Sequence, residues 1–231
     1  MKTILESDKD YICEVHAPCF QMLVPEEMEL VKASKTQVLF RKGDSLTKQG
    51  AFASYILFVI NGLCRQYIEG NGSKSFNLRI VQPGEFVGLS AVFTKNIFSY
   101  STVALTDCYA FLIEKEAIAK LIERNGLFGL NIIKRYCEQN VSLFSTLQTV
   151  LNKQMNGRIA ETLLYLDSIR ENHSDIFQLL SRKDIADFAS ISMESAVKLL
   201  KSFEKDGIIE LQDKNIIIKD KRSLENISIR G

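Results

Sequence analysis

The stretch that most constrains this chain is Leu180–Gly207, LSRKDIADFASISMESAVKLLKSFEKDG. It reads as two short helices with a tight turn between them. Ser181 is placed to cap the first, because a serine oxygen accepts from the free N–H groups of a helix start. Asp184, three residues on, fits the reciprocal half of that cap. Ile185, Phe188 and Ala189 then share one face. Ser192 repeats the signal, with Ser195 three residues later. Ala196, Leu199, Leu200 and Phe203 form the apolar face of the second helix. Met193, Glu194, Ser195, Val197, Lys198 and Lys201 lie on its first two turns or its other face. One helix that braces and a second that offers its N-terminal residues make a helix-turn-helix, the arrangement that enters a DNA major groove.

A chain of 231 residues has room for two modest domains. It contains no run of about 18 apolar residues, so no membrane span is expected. The start, MKTILESDKDYICEVH, carries acids and lacks a long apolar stretch, unlike a secretory signal. Five scattered cysteines, Cys13, Cys19, Cys64, Cys108 and Cys137, suit a reducing cytoplasm better than a disulfide framework. The net charge is +1, and acidic and basic residues balance from Lys153 onward. That argues against unusually tight non-specific binding, although phosphate attraction depends on where charges lie. A neutral helical domain that binds protein instead is the alternative. No nucleophile–base pair, phosphate loop or metal motif is readable, so no enzyme is expected.

Residues 1–35 read as helical and irregular, with Pro25-Glu26-Glu27 opening a short helix. From Thr36 to about Ile113 the character changes to short β-rich runs: Gln37–Phe40, Tyr55–Ile60, Leu63–Ile68, Ser75–Val81, Ser101–Ala104 and Cys108–Ile113. Gly50, Gly62, Gly72, Gly84 and Gly88 punctuate them. Even spacing of this kind predicts a small barrel or roll. A short helix over Glu114–Glu123 and a long one from about Leu127 to Asn152 follow. In the long helix Leu130, Ile133, Cys137, Asn140, Phe144, Leu147 and Leu151 step by three and four, the seam of a coiled coil. Ile132, Tyr136, Leu143 and Val150 form a neighbouring stripe. One stripe packs on the strands and the other meets a second copy; one wide buried face is the alternative. Asn140 would fix the register. Asn156-Gly157 reads as a hinge, Arg158–Glu171 as a helix, and Ile208–Leu211 with Ile216–Ile218 as a hairpin wing.

The fold class expected is therefore α+β. An N-terminal β-roll covers 1–126, a dimerisation helix 127–152 and a winged helix-turn-helix 153–231. In that order these parts resemble the Crp/Fnr family of bacterial transcription factors. The resemblance rests on Lys42-Gly43-Asp44 with Gln49-Gly50, Ile60-Asn61-Gly62, Pro83-Gly84-Glu85-Phe86-Val87-Gly88, Gly157-Arg158-Ile159-Ala160 with Leu163-Leu164, and the helix-turn-helix. Gln154–Ala160 and Ala196–Ile209 look like the Crp/Fnr regulators common in Bacteroidetes.

The resemblance implies a cyclic-nucleotide-binding-like jelly roll and a cytoplasmic homodimer on a palindromic operator, with double-stranded DNA and RNA polymerase as partners and no membrane. Half-sites would lie one helical turn apart. The recognition helix maps onto Ser192–Phe203. Glu194 stands where the family commonly accepts a hydrogen bond from cytosine, and Lys198 where an arginine reads guanine or phosphate. Met193 replaces an arginine of the cyclic-AMP-binding members, and Ser190 replaces the usual turn glycine. Arg182, Lys183, Ser192, Ser195 and Lys201 complete the DNA-binding set, with Lys183 and Lys201 as phosphate candidates.

The family's nucleotide binders place a glutamate after Phe-Val-Gly and an Arg-Ser or Arg-Thr pair some ten residues on. Here those positions hold Leu89 and Ser99-Tyr100. The long-helix Thr-Ser pair falls at Leu143-Phe144. A phosphate without its arginine loses its strongest charge-assisted bonds, so cyclic AMP is not the expected effector. Ile80, Phe86, Leu89, Phe93, Phe98, Tyr100, Leu143 and Phe144 replace the polar pocket, with Ser99 beside them. Such a lining takes haem or another apolar ligand, or fills the cavity. Cys13, His16 and Cys19 give an incomplete metal set, and a four-thiolate cluster would require distant cysteines to meet. A haem- or redox-responsive sensor is the rival reading of the roll.

Overall fold

The computed structural model describes residues 1–8, 11–12, 20–70, 74–94 and 96–231. Cys13, His16 and Cys19 lie outside them. The elements begin with β1 (Lys2–Ile4), α1 (Pro25–Ser34), β2 (Lys35–Phe40), β3 (Ser45–Thr47), β4 (Tyr55–Asn61), β5 (Cys64–Glu69), β6 (Ser75–Val81) and β7 (Phe86–Val87). A 3-10 turn (Leu89–Val92), β8 (Ser101–Ala104), β9 (Cys108–Glu114), α2 (Lys115–Arg124) and α3 (Gly126–Asn152) follow. The chain ends with α4 (Met155–Arg170), α5 (Ile176–Leu179), α6 (Arg182–Ala189), α7 (Met193–Lys205), β10 (Ile209–Gln212), β11 (Asn215–Ile218) and α8 (Lys221–Arg230).

Two compact units result: Met1–Glu69 with Arg79–Asn140, and Gly70–Leu78 with Val141–Gly231. The first holds most of the roll, built on two sheets ordered β1-β2-β9-β4-β7 and β3-β8-β5-β6. Its central strands are rich in Val, Ile, Leu and Phe because both of their faces are covered; Ile56, Leu57, Phe58 and Val59 of β4 are all buried. Phe20, Phe58, Phe86, Phe111 and Phe128 gather in one core with Ile118, Leu121 and Ile132. The Phe20 ring meets Phe58 and Phe86 edge-on, at 5.3 and 5.9 Å between centroids, a favoured aromatic geometry. Asn125 caps α3 by accepting from the Phe128 N–H at 3.0 Å.

Gly62 turns the chain between β4 and β5 at a φ of +90°, and a Cβ there would lie 2.7 Å from the Cys108 sulfur. Glycine is thus required twice over, by conformation and by space. Cys64 and Cys108 meet at 3.5 Å between sulfurs in the second core cluster of the roll, whereas Cys137 is exposed.

Two expectations change. The start of the chain is not wholly helical and irregular: β1 adds to the sheet edge through pairing with β2, which three residues cannot announce. Asn156-Gly157 is not a hinge, because both residues belong to α4. Gly157 is there for close approach: a Cβ on it would lie 2.7 Å from the Gly231 carbonyl oxygen where α8 ends. The stretch between Glu171 and Leu180, to which the sequence assigns no element, holds the short α5, and α8 follows its Asp220 cap, which accepts from the Ser223 N–H at 3.0 Å.

Candidate nucleic-acid interface and sensor region

The helix-turn-helix is held at each start by side chains of its own segment. Ser181 Oγ accepts from the Asp184 N–H at 3.1 Å, and Asp184 Oδ2 accepts from the Ser181 N–H at 2.8 Å. This reciprocal box satisfies two orphan donors of α6. Ser192 Oγ accepts from the Ser195 N–H at 3.1 Å and starts α7. Between them Ser190 adopts φ 53° and ψ 45°, the left-handed region usually left to glycine. Ile185, Ala189, Ala196, Leu200 and Phe203 are buried and fix the two helices together.

That packing leaves the first turns of α7 outward. Ser192, Met193, Glu194, Lys198 and Lys201 are exposed, and Ser195 is half-buried. Among the described residues, no hydrogen bond or ion pair holds Glu194, Lys198 or Lys201. Arg182 and Lys183 are situated differently. Arg182 is half-buried and donates from Nη2 to the Asp213 carbonyl at 2.8 Å, tying α6 to the turn of the β10–β11 wing. Desolvation by burial lowers its pKa from the usual arginine range. Lys183 pairs with Asp187 at 2.9 Å, and Asp187 also accepts from Ser75 Oγ at 2.7 Å. Its charge is partly spent before any phosphate arrives. Arg158 was read as part of a motif and not as a site residue; its Nε donates to the Lys153 carbonyl at 2.8 Å at the start of α4.

The long helix divides at Asn140 between the two units. In the first, Leu130 and Ile133 are exposed, as is Cys137, while Phe128 and Ile132 turn into the roll core. In the second, Phe144, Leu147 and Leu151 are exposed and Leu151 reaches 76 %. Asn140 is half-buried. Within a single chain the predicted seam is an open apolar stripe.

In the roll, Ile80, Phe86 and Leu89 are buried, and the last two belong to the aromatic core, where they fill space instead of lining it. Ser99 is exposed, and Leu143 and Phe144 are exposed on the part of α3 assigned to the second unit. Close in sequence to these residues stands a polar network that the sequence reading missed. Arg79 donates to Glu85 Oε1 at 2.6 Å and, from Nε, to Gln66 Oε1 at 2.7 Å. Glu85 Oε2 accepts from the Gln82 N–H at 2.7 Å. The Tyr100 hydroxyl accepts from the Gly88 N–H at 2.8 Å, and burial pushes its pKa above the ordinary phenol value. The signal available was a lone arginine amid the apolar residues of β6, which needs a partner when its strand folds inward.

Residues 37–125 match the cyclic nucleotide-binding domain model, and residues 157–227 match the Crp-like helix-turn-helix domain model. The chain is 24% identical over 212 residues to the cyclic AMP receptor protein of Thermus thermophilus, covering 92% of this chain and 97% of that one. It is 26% identical to the anaerobic regulatory protein of Bacillus subtilis, covering 84% of each. Among solved structures, a putative transcriptional regulator of the crp/fnr family from Eubacterium rectale superposes with a TM-score of 0.76 at 18% identity, covering 92% and 98% of the two chains. FixK2 from Bradyrhizobium japonicum gives 0.74 at 18% identity, covering 84% and 96%.

Proposed function

Because this chain belongs to the Crp/Fnr family of transcription regulators, we propose that it acts as a homodimer whose two α7 helices read the half-sites of a palindromic operator. The observation that carries the reading is the tip of α7: a capped, rigid helix start with Met193, Glu194 and Lys198 exposed. Glu194 suits the cytosine amino group and Lys198 guanine or phosphate. Lys201 and, once released from Asp187, Lys183 position the backbone. The open stripe from Leu130 to Leu151 is covered by the same stripe of the second copy, which sets the two α7 helices a fixed distance apart. RNA polymerase is the further partner, and the cytoplasm the place of action.

Cyclic AMP is not the effector in this reading, although relatives carry it in their names. Leu89 and Ser99-Tyr100 lack the glutamate and arginine that would hold ribose and phosphate, and the Arg79 guanidinium is neutralised by Glu85. A phosphate entering beside Glu85 meets a carboxylate, and the Arg79 guanidinium beside it is already paired.

The test is selection of bound sequences from random duplex DNA by the full-length protein. The expected product is a two-fold palindrome whose half-sites lie about 10 bp apart, one helical turn. An enriched single, unrepeated half-site would overturn the dimer, and no enrichment with a folded protein would overturn the DNA reading.

A further inference from the structure

The second compact unit contains a half-open cleft of about 220 Å³ that the DNA-reading face does not use. One wall is a row of hydroxyls on α3: Ser142, Ser145 and Thr149, spaced so that all three share a helix face. Among the described residues, no hydrogen bond occupies these three hydroxyls. The neighbouring Thr146 is spent on its own helix, donating to the Ser142 carbonyl at 3.0 Å. The lining also carries aromatic rings. Tyr165 of α4 and Phe188 of α6 stand with ring centroids 5.9 Å apart, and both line the cleft.

Glu161 is the single charged side chain in the lining. Its Oε2 accepts from Lys153 Nζ at 2.8 Å and from Ser228 Oγ. Its Oε1 carries no bond from the described residues. Lys153 is already paired with Glu161, so among the described lining residues no spare cation is left to hold an anion entering the cleft. The volume equals roughly seven waters at ~30 Å³ each. Hydroxyl donors and acceptors, apolar rings and one carboxylate oxygen in a single lining fit a small ring that is polar at its edge and apolar on its face.

We propose that this cleft binds an uncharged or amino monosaccharide, with the Ser142–Ser145–Thr149 row on its hydroxyls, Tyr165 and Phe188 against its ring, and Glu161 Oε1 accepting from an amine or hydroxyl. The occupant touches α6, the bracing helix of the helix-turn-helix, through Phe188, and so biases how α7 is held. Binding stands on the cleft alone; its effect on DNA rests on the operator reading above.

The experiment is saturation-transfer NMR on the full-length protein with D-glucosamine, D-glucose and N-acetyl-D-glucosamine as probes, and with D-glucosamine 6-phosphate as the anionic control. D-glucosamine is expected to bind most tightly, and its 6-phosphate at least about tenfold more weakly. Thr149→Val keeps the shape, removes one hydroxyl and is expected to weaken glucosamine by about five- to tenfold. Ser145→Leu with Thr149→Leu fills the cleft and is expected to abolish transfer while leaving operator binding in sugar-free buffer unchanged. No transfer from any of the three sugars at about 10 mM, well above a millimolar Kd, would overturn the proposal. So would transfer that survives filling, or tighter binding of the phosphate. Sugar binding that leaves operator affinity unmoved would overturn the effector role, whereas failure to bind DNA at all would concern α7 instead.

Discussion

Helix α7 and the interior of the roll treat polar side chains in opposite ways. On α7, Glu194, Lys198 and Lys201 stand in solvent on a rigid, capped helix, with no partner among the described residues. In the roll, Arg79 donates to both Glu85 and Gln66, at 2.6 and 2.7 Å. Polar groups fixed in place and left unpaired are ready for an external partner; polar groups already paired must break a bond to accept one. On the proposed reading, the contrast separates a surface open to DNA from a sensor region whose polar groups are already paired. The apolar stripe of α3 belongs with α7 in this respect, since it too lies exposed within the single chain.

The largest effect is expected at that stripe. Ile133→Glu with Leu147→Glu should convert the dimer to monomer in sedimentation, and operator affinity should fall by about 100-fold or more as the two half-sites uncouple. A variant that stays dimeric would break the grouping of α3 with α7. Next comes the roll. Arg79→Leu should cost about 1–3 kcal/mol in urea unfolding, because it strands Glu85 and Gln66. Adding Glu85→Gln should cost less than the sum of the two single changes. Operator affinity should not move, and a loss of DNA binding would show that the network serves α7 after all. Ser181→Ala removes one arm of the capping box and should cost about 1 kcal/mol. Smallest is Ser190→Gly, which relieves the left-handed serine and should stabilise the unit by about 0.5–1 kcal/mol; destabilisation would show that the Ser190 side chain has a part of its own.

What could be read from the sequence follows the same division. The helix-turn-helix was legible because Ser181, Asp184 and Ser192 act on residues three positions away, and the turn lies within one segment. The longer strands of the roll were legible from glycine-punctuated runs, and Ser75–Val81 and Ser101–Ala104 fall at the expected bounds. The short strands β1, β3 and β7 were not, since two or three residues become a strand only through a distant partner, as Lys2 does opposite Leu39. Asn156-Gly157 misled because a glycine read alone signals a turn; its reason, the Gly231 backbone against it, lies at the other end of the domain. The Arg79 network was hidden likewise, because Gln66, Arg79 and Glu85 come from three different segments.

The most direct test of the account is fluorescence anisotropy with the selected operator and a scrambled duplex at one fixed salt concentration, comparing the native chain with Glu194→Ala/Lys198→Ala. Each base contact is worth about 1–3 kcal/mol, so the double variant should lose most of its preference for the operator while its affinity for scrambled DNA stays close to native and the dimer remains intact. Undiminished discrimination by the double variant would contradict the account, because sequence would then be read somewhere other than the tip of α7.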